Sequence, residues 1–321
     1  MLRCRMILSL LSFALALATG CATMTKVQPT ETASLEKIDS IVANGIEERV
    51  FPGAVVVVGQ PGKVMWAKAY GHKTYDEASD PMTLDSEFDM ASCSKVIGTT
   101  SAALVLMDEG KLSPDDRVSK YIPGFDSNGK EGDTVRDLMT HVSGLKAYES
   151  KWADIEKERP ASETRADALI EHYAALPASY PPRSKVLYSC LNFQTTARMT
   201  ENISKEPMEQ FLKEHVYGPL GMKDTVYTLS PDQASRAVPT VGDKDGKVTL
   251  VAEVHDPLAH YYGHDEGHFP GNAGLFTTGR DAARYCEMIA NGGKLGGKRI
   301  FSEEILAEAT RKQTPDSVDD S

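Results

Sequence analysis

Positive charge is scarce in this sequence. The 35 Lys and Arg residues are outnumbered by 46 Asp and Glu residues, which gives a formal net charge of −11 over 321 residues. Because no Lys/Arg cluster interrupts this acidic background, the basic surface needed for nucleic-acid binding is missing and no nucleic-acid partner is expected.

Internal repeats and low-complexity blocks are missing as well. The 41% hydrophobic and 25% charged residues are typical of a globular protein. The length suits one large domain or two closely packed ones.

Long apolar runs are confined to the N-terminus. A basic "MLRCR" precedes "MILSLLSFALALATG", which is shorter than the roughly 20 residues of a membrane-spanning helix. This pattern predicts a signal peptide at 1–20. Small residues directly before Cys21 resemble a bacterial lipoprotein processing site, which predicts a lipidated Cys21 and a flexible tether at 21–33. The protein is then exported and lipid-anchored to the bacterial cell envelope, facing the periplasm or the cell surface. An ordinary secretory signal is the alternative.

Cysteine is also scarce, with five in the chain. Cys4 leaves with the signal peptide and Cys21 carries the lipid. Cys93, Cys190 and Cys286 remain. Because three is an odd number, at least one of them is expected to be unpaired or bonded to another molecule.

The order of predicted elements indicates the fold class. An amphipathic pattern predicts a helix at 34–50, and two strand-like runs around "GQPGK" predict a β-hairpin at 53–71. A long apolar helix from 92 to 109, stopped by Gly110, follows. A helical, loop-rich region at 112–216 comes next, and two late helices precede an acidic, disordered tail at 314–321. We therefore predict an α/β domain at 34–313, in which an antiparallel sheet is flanked by helices and a helical subdomain at 112–216 is inserted.

The stretch "FDMASCSKVIGTT" contains a serine and a lysine at a spacing that suits nucleophilic catalysis. On a helix, side chains three residues apart lie on one face, whereas adjacent side chains do not. Lys95 can therefore serve Ser92 but not Ser94. A serine at a helix N-terminus also gains from the free N–H groups and from the helix dipole.

The Ser-x-x-Lys spacing alone is a weak signal, because it occurs four times: Ser34 with Lys37, Ser92 with Lys95, Ser127 with Lys130, and Ser143 with Lys146. Ser34 looks like the cap of an exposed helix, and Ser127 and Ser143 lie in turn-like or loop-like sequence. Ser92 alone begins a long apolar helix. From the residues by themselves, Ser92 is either a nucleophile or an ordinary N-cap serine.

Six blocks in order carry a resemblance to a known family: "FPGAVVVVGQPGKVMWAKAYG", "FDMASCSKVIGTTSAALVLMDEGKLSPDDRVSKYIPGF", "TVRDLMTHVSGL", "YSCLNF", "EHVYGPLGMKDT" and "GNAGLFTTGRDAARYCEMIANGG". The chain resembles the class C beta-lactamase-related serine hydrolases, which include penicillin-binding esterases and D-amino-peptidases. The resemblance implies a serine beta-lactamase-like fold, Ser92 as nucleophile and Lys95 as its partner. It implies acyl transfer without a cofactor, on a small molecule or a peptidoglycan-like peptide.

The family's second motif is Tyr-x-Asn, or Tyr-Ser-Asp in some esterase-like branches. It matches Tyr188-Ser189-Cys190, which implies that Tyr188 relays a proton to the leaving group. Cys190 departs from the pattern at a position that helps orient substrate, and a thiol is a weak donor and acceptor. Either the site is weakened or Cys190 is used chemically, for instance in a bond with Cys93.

The family's third motif, Lys-Thr-Gly or His-Thr-Gly on a strand opposite the nucleophile, is not found. We therefore expect the C-terminal strands to be missing and the chain to be truncated, or its open sheet edge to pair with a partner. "GNAGLFTTG" matches an earlier glycine-rich segment, in which Asn272 replaces the histidine of the His-Ala-Gly form. Asn272 and Gly274 are predicted to bind substrate together with Cys190.

Histidines are concentrated in "VHDPLAHYYGHDEGH", which holds His255, His260, His264 and His268 with Asp256 and Asp265. This set either ligates zinc or forms a polar loop over the cleft, and its spacing favours the loop. His141, in "THVSGL", is predicted to fix a loop.

The sequence thus predicts a serine hydrolase of a carboxylic ester, D-amino-acid peptide or beta-lactam, with Ser92, Lys95 and Tyr188 as catalytic residues. A non-catalytic lipoprotein that keeps the fold as a binding module is the alternative, and metal-dependent hydrolysis through the histidine loop is a third hypothesis.

Overall fold

The computed structural model describes residues 35–241, 248–262, 266–315 and 318. The predicted signal peptide, the tether, Cys21 and most of the tail lie outside these ranges. The α-helices, numbered in chain order, are α1 (Lys37–Glu47), α2 (Ser101–Asp108), α3 (Val135–Met139), α4 (Trp152–Glu158), α5 (Arg165–Ala175), α6 (Cys190–Ser204), α7 (Met208–Leu212), α8 (Gly218–Leu220), α9 (Pro231–Arg236), α10 (Pro257–Tyr261), α11 (Gly279–Ala290) and α12 (Glu303–Thr310). Within the described ranges, no helix is both long and apolar enough to cross a membrane.

The strands that the structure describes pair antiparallel and alternate with helices, which confirms the predicted α/β class. The pairs are β1 (Gly53–Gln60) with β2 (Lys63–Gly71), β3 (Glu87–Asp89) with β6 (Phe276–Thr278), β4 (Thr240–Val241) with β5 (Val248–Leu250), and β7 (Lys294–Leu295) with β8 (Lys298–Arg299). The hairpin of β1 and β2 lies where the sequence predicts it. Among the described strands, β1 and β2 pair with each other alone.

The β3–β6 pair directs the chain into the predicted helix. After Asp89, a 3₁₀ turn at Ala91–Cys93 leads into a π-helical turn at Lys95–Thr100 and then into α2. The π-helical turn adds one residue to the backbone hydrogen-bonded ring, a feature that is frequent at functional sites. Gly110, with φ +69°, follows the end of this helix, as the sequence predicts.

The regular elements between residues 112 and 216 are all helical. Helix α6 packs against α2, α3 and α5, and fully buried leucines fill the space between these helices: Leu106, Leu138, Leu169 and Leu191. Burying one such side chain contributes roughly 1.5–3 kcal/mol relative to leaving it exposed. This core therefore holds α6, which begins at Cys190, against α2, which follows the turns that carry Ser92 and Lys95.

Candidate active site

A strained turn presents Ser92 to solvent. Ala91 has a φ of +47°, a left-handed conformation that costs an L-residue roughly 1–2 kcal/mol. The carboxylate of Asp89 holds this turn, because its Oδ1 accepts the Ala91 N–H at 2.8 Å. Ser92 follows at once and is exposed. Since the first N–H groups of a helical segment have no partner within it, the Ser92 amide is available as a donor beside the exposed hydroxyl.

Ser94, two residues on, has a structural role. It is fully buried, and its hydroxyl accepts the N–H of Leu275 at 3.0 Å. Ser94 therefore joins the helix to the segment before β6. The two serines of the motif differ in the way that helical spacing predicts.

Lys95 is buried beside the Ser92 hydroxyl. The side chain is 3% exposed, and Nζ lies 3.2 Å from Ser92 Oγ. Nζ also donates to the main-chain carbonyl of Asn272 at 2.8 Å, and the Cys190 sulfur lies 4.0 Å away. The ring of Tyr188 lies with its centroid 4.7 Å from Nζ. The amine is therefore held on several sides and directed at Ser92.

Tyr188 forms the open wall of this site. It is 49% exposed, and its ring centroid lies 4.6 Å from that of His141. His141 Nδ1 accepts the Ser189 N–H at 3.1 Å, and burial, reinforced by the charge of Lys95, lowers the pKa of His141 to about 4. A neutral His141 thus fixes the loop that carries Tyr188, as the sequence predicts.

Cys190 occupies the first turn of α6, and its N–H donates to the carbonyl of Ala147 at 2.8 Å. Burial raises the pKa of its thiol, an effect that Lys95 opposes, so a neutral thiol faces the lysine at pH 7. Cys93, Cys190 and Cys286 are all free thiols. The bond between Cys93 and Cys190 that the sequence left open is not formed.

The Asn272 side chain is oriented into the protein. It is 1% exposed; its Oδ1 accepts from Gln194 at 2.8 Å, and its Nδ2 donates to Asp256 at 3.2 Å. Gly274 has a φ of +95°, and a Cβ there would lie 3.2 Å from Pro270, so glycine is needed for the bend. Both residues lie in the wall behind Lys95, and their role in binding substrate stays a prediction.

The histidines of the segment "VHDPLAHYYGHDEGH" contact different partners. His255 Nδ1 lies 2.8 Å from Asp89 Oδ2, and His268 Nδ1 lies 3.0 Å from Glu201 Oε2. His264 and Asp265 lie outside the described residues. Among the residues that the structure describes, no three His, Cys, Asp or Glu side chains are grouped so that they could hold a metal ion.

The family of the chain follows from its sequence as a whole. The family model described as "Beta-lactamase" matches residues 38–320. The chain belongs to the beta-lactamase family. This membership agrees with the exposed serine and the buried lysine beside it, and it confirms the resemblance found in the six sequence blocks.

One curated relative and two solved structures illustrate what the chain is similar to. The chain is 28% identical, over 90% of its own length and 71% of the other, to a protein of Salmonella gallinarum provisionally named as a D-alanyl-D-alanine carboxypeptidase. Its fold is similar to that of a penicillin-binding protein homologue from Caulobacter crescentus, with a TM-score of 0.72 and 21% identity over 89% of this chain and 76% of that one. It is also similar to EstCE1, described as a hydrolase with promiscuous acyltransferase activity, with a TM-score of 0.70 and 21% identity over 87% and 77%.

Two connections around the site have little or no signal in the sequence. Asp89 holds the turn before Ser92, and the main-chain carbonyl of Asn272 accepts from Lys95. An Asp two residues before a turn is a weak signal for a side chain that accepts a backbone N–H. A main-chain carbonyl has no sequence signal.

Proposed function

We propose that this protein is a serine acyl hydrolase in which Ser92 is the nucleophile, Lys95 the base and Tyr188 the proton relay. The observation that carries the proposal is the 3.2 Å contact between Lys95 Nζ and Ser92 Oγ, made by a buried amine and an exposed hydroxyl. A general base must lie within hydrogen-bonding reach of the proton that it removes. The family membership and the relatives support the same activity.

The reaction proceeds in two halves. Ser92 Oγ attacks the carbonyl carbon of the substrate while its proton passes to Lys95 Nζ, and the carbonyl oxygen becomes an oxyanion beside the Ser92 amide. The bond to the leaving group then breaks, and the leaving group takes the proton held by Lys95 through the Tyr188 hydroxyl. Water attacks the resulting ester and gives a proton to Lys95, which passes it to Ser92 Oγ as the acid product leaves.

The proposed substrates are peptides that end in a D-amino acid, or simple carboxylic esters, with beta-lactams as acylating probes. One relative is named for a D-alanyl-D-alanine substrate, and one fold neighbour is described as an acyltransferring hydrolase. The half-exposed Tyr188 ring and the exposed Ser92 leave the nucleophile open to an extended acyl donor.

Covalent labelling tests the proposal. Purified protein is treated with a fluorophosphonate or a fluorescent penicillin, and the adduct is mapped by peptide mass spectrometry. We expect one adduct at Ser92, which Ser92→Ala abolishes. Ser127→Ala is the matched control, because Ser127 belongs to another Ser-x-x-Lys copy. A folded protein without an adduct at Ser92 would favour the alternative, a binding module that keeps the fold without catalysis.

We propose further that the protein is exported and anchored to the envelope through a lipid on Cys21. The support is the basic and apolar leader and the small residues directly before Cys21. Intact-mass analysis of membrane-extracted protein should find an acylated N-terminal cysteine, and Cys21→Ala should move the protein to the soluble fraction. A wild-type protein found soluble with an unmodified N-terminus would contradict this proposal.

A further inference from the structure

The dipeptide His255-Asp256 contacts both halves of the proposed catalytic pair through intermediate residues. His255 lies 166 positions beyond Asp89 in the chain, and Asp256 lies 16 positions before Asn272. Neither His255 nor Asp256 forms a hydrogen bond with Ser92 or Lys95. Asp89, the partner of His255, bonds to the residue before Ser92, and Asn272, the partner of Asp256, bonds to Lys95.

The first connection runs through Asp89 to the turn before the nucleophile. The His255 main-chain N–H and ring Nδ1 both contact Asp89 Oδ2, at 2.9 and 2.8 Å. Asp89 Oδ1 in turn accepts the N–H of Ala91. The Asp89 side chain is 4% exposed, whereas that of His255 is 37% exposed. A left-handed alanine persists when surrounding contacts over-determine it, and these contacts supply that restraint on the residue before Ser92.

The second connection runs through Asn272 to the base. Asp256 Oδ1 accepts from Asn272 Nδ2 at 3.2 Å and from the N–H of Ala259, in the first turn of α10, at 2.7 Å. Gln194 holds the other end of the Asn272 amide. The side chain of Asn272 is thus fixed at both ends, so its main-chain carbonyl is fixed where it accepts from Lys95.

We propose that His255 and Asp256 are positioning residues for acylation: His255 sets the Ser92 turn through Asp89, and Asp256 sets Lys95 through Asn272. This inference rests on the proposed hydrolase function. A displacement of about 1 Å at reacting atoms costs about 10²-fold in rate, so the loss of either restraint should lower the rate of the chemical step.

The test uses two pairs of variants of the full chain. Asp256→Ala removes the acceptor of Asn272, whereas Asp256→Asn keeps an oxygen that can accept the same bonds. His255→Ala removes the ring donor to Asp89, whereas His255→Asn keeps an N–H near the position of Nδ1. Acylation of Ser92 by a fluorophosphonate is followed over a range of concentrations, which separates the saturating rate from the apparent affinity.

We expect each Ala variant to lower the saturating acylation rate by about 10- to 100-fold, with the apparent affinity unchanged. Each Asn variant should recover most of the rate. Ser302→Ala is the control for simple loss of a helix cap, because Ser302 caps α12 as Asp256 caps α10. It should lower the unfolding temperature without lowering the acylation rate.

The failure of this inference differs from the failure of the proposed function. Wild-type protein without an adduct at Ser92 refutes the function. Wild-type protein that is labelled, with folded Ala variants labelled at the same rate, overturns the positioning roles alone. An Asp256→Asn variant as slow as Asp256→Ala would show that the charge, not the hydrogen bond, matters, and would overturn the role of Asp256 as stated. If Asp256→Ala does not fold, the His255 pair and Asp256→Asn still decide the outcome.

Discussion

Two regions of the molecule share the Ser-x-x-Lys spacing and a buried lysine, yet differ in what the lysine contacts. Lys95 is 3% exposed and Lys130 is 1% exposed. Lys95 Nζ lies against the hydroxyl of Ser92. Lys130 Nζ instead donates to the main-chain carbonyls of Ser127 and Leu176. The same tetrapeptide pattern therefore gives a candidate site in one place and a structural lysine in the other.

The backbone explains the difference. Ser92 and Lys95 lie on consecutive helical turns, so their side chains share a face. Between Ser127 and Lys130, Asn128 and Gly129 have φ angles of +57° and +87°, which reverses the chain and turns the serine hydroxyl away. Ser127 Oγ donates to the carbonyl of Gly124 at 2.9 Å instead. The Ser-x-x-Lys spacing therefore brings the serine hydroxyl and the lysine amine together only where the backbone between them is helical.

Replacing each lysine in turn should give the largest contrast. Lys95→Met should lower acylation of Ser92 by roughly 10²–10⁴-fold, the usual contribution of a positioned general base, with little change in unfolding temperature. Lys130→Met should leave the acylation rate within about twofold, because its partners are carbonyls outside the site. Acylation kinetics and thermal unfolding are measured on both. Equal acylation rates in the two variants would contradict the assignment of Lys95.

The Tyr188 hydroxyl is expected to have the next largest effect. Tyr188→Phe keeps the ring that packs on His141 and Lys95 and removes the hydroxyl alone. Hydrolysis of an amide or alkyl ester should fall by about 10²-fold. Hydrolysis of a nitrophenyl ester should fall much less, since its leaving group departs without a proton. A uniform loss on both substrates would contradict a proton relay and indicate a packing role.

Replacing Cys190 tests the departure from the family motif. Cys190→Asn places an amide at the position of the sulfur, which now lies 4.0 Å from Lys95 Nζ. A net hydrogen bond is worth about 0.5–1.5 kcal/mol, so kcat/KM should rise roughly two- to twelvefold. Cys190→Ser is the matched control, because it changes the sulfur without adding reach. A loss of activity in Cys190→Asn would show that the thiol itself serves the site.

Much of the fold could be predicted because it depends on local pattern. The hairpin follows from the β-branched run before the Pro61-Gly62 turn and the strand-like run after it, and the choice of Ser92 over Ser94 follows from helical spacing. The setting of Lys95 could not be predicted, because it depends on the carbonyl of Asn272, 177 positions away. The partners of the buried Asn272 side chain, Gln194 and Asp256, are equally distant from any local sequence pattern.

The surroundings of Lys130 give the smallest and last contrast, through Asp133. This carboxyl is 2% exposed, and both its oxygens are without a hydrogen-bond partner among the described residues. Burial, then the nearby Asp137, raises the pKa of Asp133 to about 7. The unfolded chain releases this proton near pH 4, so the folded state holds more protons from about pH 4 to 7 and the free energy of unfolding falls as pH rises through that window.

Asp133→Asn removes this fall, so the stability of the variant relative to wild type should increase from pH 4 to 7 and then level off. Urea unfolding at pH 4.5, 6 and 7.5 measures this, with exposed Asp126→Asn as control. A stability difference independent of pH would mean that Asp133 titrates normally in the folded protein, and acylation of Ser92 should be the same in both variants.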